Sequence, residues 1–258
     1  MIVTTSFRPS PRLVEEAERW AEQLGLRLVK RGNRTISALQ RRYKVRDVLV
    51  VTEEGLRCYR EANPPLFFHP GSAFFRIKRM LATGEQEPLL TIPGVQPGDT
   101  IVDCTAGLCS DALTFSYAVG ERGRVIAIEA DPTVSLIVRE GLRTYETELP
   151  EVNEAMRRIE VMQGDHRKIL SGMPDRSADI VYFDPMFRSP IEESSGIAPL
   201  RSFACEQPIT AEAVAEARRV ARRAVVMKEL RGSSQFAKLG FVEDDRRNSK
   251  IAYGVIRI

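Results

Sequence analysis

A chain of 258 residues that is 43% hydrophobic can bury one substantial core and still leave material for a smaller second lobe. Charged residues make up 28%, no apolar run is long enough to span a bilayer, and Met1–Pro9 lacks a hydrophobic signal core, so neither a membrane protein nor a secreted one is expected. The cysteines, Cys58, Cys104, Cys109 and Cys205, show neither CxxC nor zinc-ligand spacing, which fits free thiols in the cytoplasm.

Residues 1–60 hold thirteen Lys/Arg against seven Asp/Glu, whereas the remainder holds twenty-five against twenty-eight, so the net charge of +3 sits at the front. A basic lobe on a near-neutral body suits a polyanionic partner such as RNA; a solvated basic surface is the plainer alternative. Leu13, Ala17, Trp20, Ala21 and Leu24 repeat at helical spacing behind Ser10-Pro11, which predicts a helix over 11–24 ended by Gly25. A short strand over 26–30, a turn at 31–34 and a second helix over 35–44 follow. Val48–Thr52 and Gly55–Tyr59 alternate around Glu53-Glu54 as a hairpin. Residues 1–62 therefore read as a small basic α/β lobe.

Residues 63–98 read as a linker and a helix. Asn63–Gly71 is a Pro-rich joint in which Phe67 and Phe68, with Phe74 and Phe75 beyond it, flank His69. Such aromatics can stack on nucleic acid, but packing between lobes is the preferred reading, with Arg76, Lys78 and Arg79 at the surface. A helix is expected over 73–90. Residues 99–258 then alternate strand and helix. Strands fall at 101–103, 125–129, 159–162, 180–183 and 224–227, with helical runs such as 132–145 and 210–221 between them. That rhythm predicts a parallel, Rossmann-like sheet covered on both faces. Phe241–Arg247 and Ile251–Ile258 predict a closing antiparallel hairpin.

The stretch Thr100-Ile-Val-Asp-Cys-Thr-Ala-Gly-Leu-Cys-Ser-Asp-Ala112 organises this half. It reads as a strand ending in Asp103, a small-residue loop, and the start of a helix. The loop lacks the glycine spacing of a dinucleotide site, and an acid at the strand tip suits a cationic ligand group instead. S-adenosylmethionine, with its ammonium and sulfonium, fits that description. Carboxylates also stand just past the next strands: Glu129, Asp165 and Asp184. In this reading Asp103 and the Ala106–Gly107–Leu108 backbone face the methionine end, and Ser110 and Asp111 hydrogen-bond it. Glu129, beside Ala130, takes the ribose hydroxyls, while Asp165 takes the adenine amine with His166 next to it. Helix capping is the competing role for Asp111, Asp131 and Asp165. Asp184-Pro185-Met-Phe187 has the form of a corner that holds an exocyclic amine: Asp184 and the Pro185 carbonyl accept its hydrogens, and Phe187 stacks on a flipped base. No metal is required.

Val102–Ala112 together with Val181–Phe187 resembles the RsmJ family, class I methyltransferases that act on a guanine N2 amine of bacterial small-subunit (16S) ribosomal RNA. Ile128-Glu-Ala-Asp-Pro132 is similar to that family's second-strand motif. The resemblance covers about residues 68–258 and implies S-adenosylmethionine as cofactor, an RNA substrate, and cofactor contacts at Ser110, Asp111, Glu129, Ala130, Asp165, His166 and Asp184. Cys109 and Ser110 depart from the Gly and Arg of the family loop, Ser189-Pro190 departs from its Pro-His, and Met227-Lys228-Glu229 stands where Val-Lys-Arg-Pro is usual. The sequence leaves two alternatives open. One is the same fold acting on another amine, in DNA, protein or a small molecule; the other is a non-catalytic RNA-binding relative with a degenerate pocket. Oligomeric state is not legible.

Overall fold

The computed structural model describes residues 1–61, 64–85, 87–185, 200, 202–203, 208–246 and 249–258. The first lobe contains β1 (Ile2–Thr5), α1 (Pro11–Gln23), β2 (Arg27–Leu28), α2 (Ile36–Tyr43), β3 (Asp47–Thr52), β4 (Gly55–Arg60) and β5 (Leu66–Phe67). Its sheet runs β2-β1-β3-β4-β5, with β1 parallel to both neighbours and the remaining pairs antiparallel. Strand alternation sends Val3, Leu49 and Val51 toward α1 (Leu13, Ala17, Ala21), and Ile2, Val48 and Val50 toward Leu39 of α2. Both helices start as the sequence implies. Ser10 Oγ accepts from the Leu13 N–H ahead of Pro11, and Thr35 Oγ1 accepts from the Ala38 N–H. Each such cap contributes about 1 kcal/mol.

The expected lobe boundary, the helix over 73–90 and the linker need correction here, and the structure adds strand β1. Strand β1 has too few residues for a period to show, yet it lies between β2 and β3 and is parallel to both. The lobe does not end at residue 62, because Leu66–Phe67 pairs with β4 as an edge strand, a place where flanking prolines are tolerated. The expected helix over 73–90 is two pieces, α3 (Gly71–Thr83) and α4 (Pro88–Thr91), since Gly84 takes a left-handed conformation (φ 73°) and ends α3. Nor is 63–98 a tether. Leu66, Phe68, Ala73, Ile77, Met80, Leu89 and Leu90 belong to one buried cluster that runs from the α1 face of the first sheet into the second domain.

The second domain contains β6 (Thr100–Asp103), α5 (Ser110–Val119), β7 (Arg124–Glu129), α6 (Pro132–Thr144), α7 (Pro150–Arg157), β8 (Ile159–Gln163), α8 (His166–Gly172), β9 (Ala178–Phe183), α9 (Ala211–Val220), β10 (Ala221–Leu230), α10 (Ser234–Leu239), β11 (Val242–Glu243) and β12 (Ile251–Arg257). The order is β11-β12-β10-β9-β6-β7-β8. The β8-to-β10 side is parallel throughout, and β12 returns antiparallel to β10. The Rossmann-like sheet with a closing hairpin is therefore present, although β11 keeps only Val242–Glu243 of the longer strand expected. The lobes meet where Phe68 lies on the backbone of α6: a Cβ on Gly141 would come within 2.1 Å of the Phe68 ring, so only glycine fits. Phe68 thus packs as expected, while Phe75 is 70% exposed. Among the described residues no helix is long and apolar enough to cross a membrane.

Candidate functional site

Strand β6 lies between β7 and β9, so the winding direction changes at its carboxyl end and a crevice opens there. The loop after Asp103 is tied to both neighbours. The Cys104 N–H donates to the Tyr182 carbonyl (2.9 Å), the Ala106 N–H to the Ile128 carbonyl (3.0 Å), and Thr105 Oγ1 accepts from the Asp184 N–H (2.5 Å). Two positive-φ residues let the loop turn into α5, Gly107 (φ 51°) and Cys109 (φ 61°). The buried Cys109 holds a left-handed conformation, at a cost of about 1–2 kcal/mol.

Beyond these strand ends lies a cavity of about 550 Å³. Asp103, Ala106, Gly107, Leu108, Ser110 and Asp111 line it from the first loop. Glu129 and Ala130 line it from the tip of β7, Asp165 and His166 from the tip of β8, and Asp184 and Pro185 from the tip of β9. Every nominated site residue that falls within the described chain therefore borders one space. Phe187 lies outside the described residues. Ile128, Val134, Leu200 and Ile209 supply apolar wall.

The acids differ in what surrounds them. Asp103 is 2% exposed, and burial pushes its pKa up to about 8, against the pull of the Thr105 N–H on its Oδ1 (3.0 Å). Burial also raises Glu129, whose two oxygens accept from the Gly107 N–H (3.0 Å) and the Asp131 N–H (2.8 Å). Each of those oxygens keeps a further lone pair for a ligand hydroxyl. Burial holds His166 below its ordinary value, with its ring set edgewise on Phe183 at 5.7 Å. Asp165 is a mixed case. It borders the cavity, yet it also caps α8 through the Arg167 N–H (2.9 Å) and pairs with the Arg167 guanidinium (2.5 Å). Its capping role is real, as is that of Asp131, which accepts from the N–H groups of Thr133 and Val134.

Asp111 is no cap. It sits one residue into α5, and Cys109 occupies the N-cap. Its carboxylate anchors a buried network instead. Arg76 Nη1 lies 2.6 Å from Oδ1, while the Tyr182 hydroxyl (2.6 Å) and Lys228 Nζ (2.9 Å) both donate to Oδ2. Lys228 also donates to Asp184 Oδ2 at 2.7 Å. Burial alone would raise Asp111, but Lys228 and Arg76 hold it well below the usual carboxylate range. Asp184 stays raised, by burial and then by the nearby Asp111 charge, with Lys228 opposing. Two cations and two carboxylates from α3, α5, the tip of β9 and β10 thus balance at the cavity wall, with Asp111 buried, Lys228 nearly so, and Arg76 and Asp184 partly exposed.

Arg76 overturns an expectation, since it is no surface cation. It turns inward one position before Ile77 of the buried face of α3. Tyr182 and Lys228 were not nominated as site residues. The signal for Lys228 was present, in a cation closing the apolar run Ala224–Met227 of a strand covered on both faces.

The chain matches the family model described as "Putative SAM-dependent methyltransferase" over residues 35–238. It is 43% identical over 256 residues to an uncharacterized protein of Bacillus subtilis, YpiP, with 99% of each chain covered. It is 28% identical over 180 residues to Ribosomal RNA small subunit methyltransferase J of Pseudomonas aeruginosa; that match covers 67% of this chain and spans 62% of the relative's length. The fold is similar to that of a SAM-dependent methyltransferase from Neisseria gonorrhoeae (TM-score 0.63, 17% identity, 100% of this chain and 96% of the other).

Proposed function

The chain belongs to the family of S-adenosylmethionine-dependent methyltransferases, and from this we propose that it methylates an exocyclic guanine amine (N2) of small-subunit ribosomal RNA. The cavity suits that cofactor: carboxylates at the strand tips meet a cationic amino acid portion and ribose hydroxyls, and apolar walls flank a heteroaromatic ring. In this reading Asp103, Ser110 and the Ala106–Leu108 backbone hold the methionine portion, and Glu129 beside Ala130 holds the ribose. His166 and the remaining lone pairs of Asp165 border the adenine. Asp111 acts through Lys228 and Arg76 rather than by touching the cofactor. Bound there, S-adenosylmethionine supplies an electrophilic methyl group.

The observation that carries the proposal is the shared cavity of Asp184 and the first-loop residues, with the Asp184 carboxylate fixed by Lys228 at 2.7 Å. With Oδ2 taken by Lys228, Oδ1 is the oxygen assigned to one N–H of the target amine. The Pro185 carbonyl takes the other. Together they fix the direction of the nitrogen lone pair, so positioning and exclusion of water supply most of the rate gain. The amine needs no strong base if its proton leaves after the methyl arrives. The likeness to the Pseudomonas ribosomal RNA enzyme supports the choice of RNA.

The test is transfer of tritiated methyl to 16S rRNA from a deletion strain, followed by mass mapping of the product. Asp184→Ala is expected to lose roughly 100-fold in kcat, the worth of a charged hydrogen bond made to the reacting group, and to keep its cofactor affinity within about threefold. Full activity in that variant, or a mapped methyl at a site other than a guanine amine, contradicts the proposal.

A further inference from the structure

Between Glu22 and Asp47 the chain carries eight Lys/Arg and no acid. The acids of the first lobe lie elsewhere, chiefly Glu15, Glu16, Glu18 and Glu22 on α1. Because α1 and α2 cover opposite faces of the first sheet, the side of α2 carries cations without acids, whereas α1 carries four acids beside Arg12 and Arg19. The α1 face merges with the main core, whereas the α2 face looks outward. Arg27, Lys30, Arg34, Arg41, Arg42 and Lys44 are all exposed there. Among the described residues their partners are aromatic rings and backbone carbonyls, with no carboxylate at ion-pair distance. Arg27 and Arg42 lie over the Tyr43 ring at 5.0 and 5.9 Å, and Arg34 donates to the Lys30 carbonyl. Arg31 packs on the exposed Phe7 ring at 3.9 Å.

One edge of this face is linked to a segment near the cavity. Gln40, on α2, donates to the Arg46 and Glu61 carbonyls, which binds the end of α2 to the ends of β3 and β4. At that same edge Arg60 stacks on Phe203 (3.7 Å) and donates to the Ser202 carbonyl (2.9 Å). Leu200, next along, lines the cavity. Arg41 and Arg42, in the last turn of α2, and Lys44 just beyond it are the cations of this face nearest that edge.

Resting on the RNA reading above, we propose that the α2 face of the first lobe is the docking surface for the sugar–phosphate backbone of the substrate RNA. Unpaired cations beside exposed aromatic rings fit phosphates and neighbouring bases, and their attraction is sequence-independent. Base choice stays with the cavity.

The test compares the full chain with a variant carrying Arg27→Gln, Arg34→Gln, Arg41→Gln and Arg42→Gln, and with a control carrying Arg122→Gln and Arg139→Gln on the second domain. The probe is a 16S rRNA transcript in filter binding across a salt series. At about 0.7–0.9 per lost phosphate contact, the variant is expected to lower the slope of log affinity against log salt by roughly 3. It also raises KM for RNA at least about tenfold, with kcat, cofactor affinity and Tm unchanged; the control changes none of these. If the parent chain binds the transcript but transfers no methyl, the catalytic reading fails while the binding comparison still decides the docking surface. A folded variant with unchanged affinity and slope overturns the inference. So does a variant that loses binding only to phosphatidylglycerol vesicles.

Discussion

In the first sheet β1 lies between β2 and β3, and in the second β6 lies between β7 and β9, so both have a central switch point where a crevice can open beyond the strand ends. In the first sheet, among the described residues, the chain itself packs beyond the strand end. Past β1, the Ser6 N–H donates to the Val51 carbonyl, Arg31 reaches the Thr5 carbonyl, and the Arg31 guanidinium lies on Phe7. The chain fills its own crevice. In the second sheet the tips instead carry Asp103, Glu129, Asp165 and Asp184, and backbone bonds from the Cys104–Ala106 loop tie that loop to its neighbours, leaving a cavity beyond the tips. Topology provides the place, and the side chains at the strand ends decide whether it becomes a pocket.

The comparison can be broken most sharply at Lys228. Its ammonium joins Asp111 and Asp184, so Lys228→Met leaves buried carboxylates short of a partner and is expected to cost about 3–5 kcal/mol in urea unfolding. A loss below about 1 kcal/mol would show that water reaches the network. Next in size is a pH effect. A cationic ligand group favours ionised Asp103, whose pKa in the free protein is about 8. Below pH 8, binding then releases a proton, so affinity for S-adenosylmethionine rises with pH by up to about tenfold per unit and levels off above 8. Calorimetry in buffers of different ionisation heat measures that proton. Asp103→Asn should abolish the dependence, and a flat profile in the parent chain refutes the contact.

Smaller again is Glu129→Gln, which replaces a charged acceptor of ribose hydroxyls with a neutral one and is expected to weaken cofactor binding about tenfold. Binding unchanged by titration would remove Glu129 from the ribose. Smallest is Arg31→Gln at the filled crevice of the first sheet. Its bonds are long and its face is partly wet, so less than about 1 kcal/mol is expected. A large loss there would make the two crevices alike in weight.

Most parallel strands of the second domain were legible as apolar runs bounded by turns, with Asp103 and Glu129 as the last residues of their strands and Asp165 and Asp184 one or two residues past theirs. The cofactor loop was legible from its small residues. Sequence spacing hid what is assembled across elements. Arg76 lies more than 100 residues from Lys228, and only the packing of α3 against α5, with β10 reaching the same carboxylate, brings both to Asp111. The double role of Asp165 was hidden for another reason: one carboxylate can cap a helix and border a cavity at once. Strand β1 was too short to show a period, and the edge strand β5 was masked by the prolines around it.

The most direct measurement is a crystal structure with S-adenosylhomocysteine. The account predicts the ribose on Glu129, the amino acid portion beside Asp103, and the sulfur directed toward Asp184 and Pro185. A ligand seated in another cavity, or a sulfur turned away from Asp184, would contradict it.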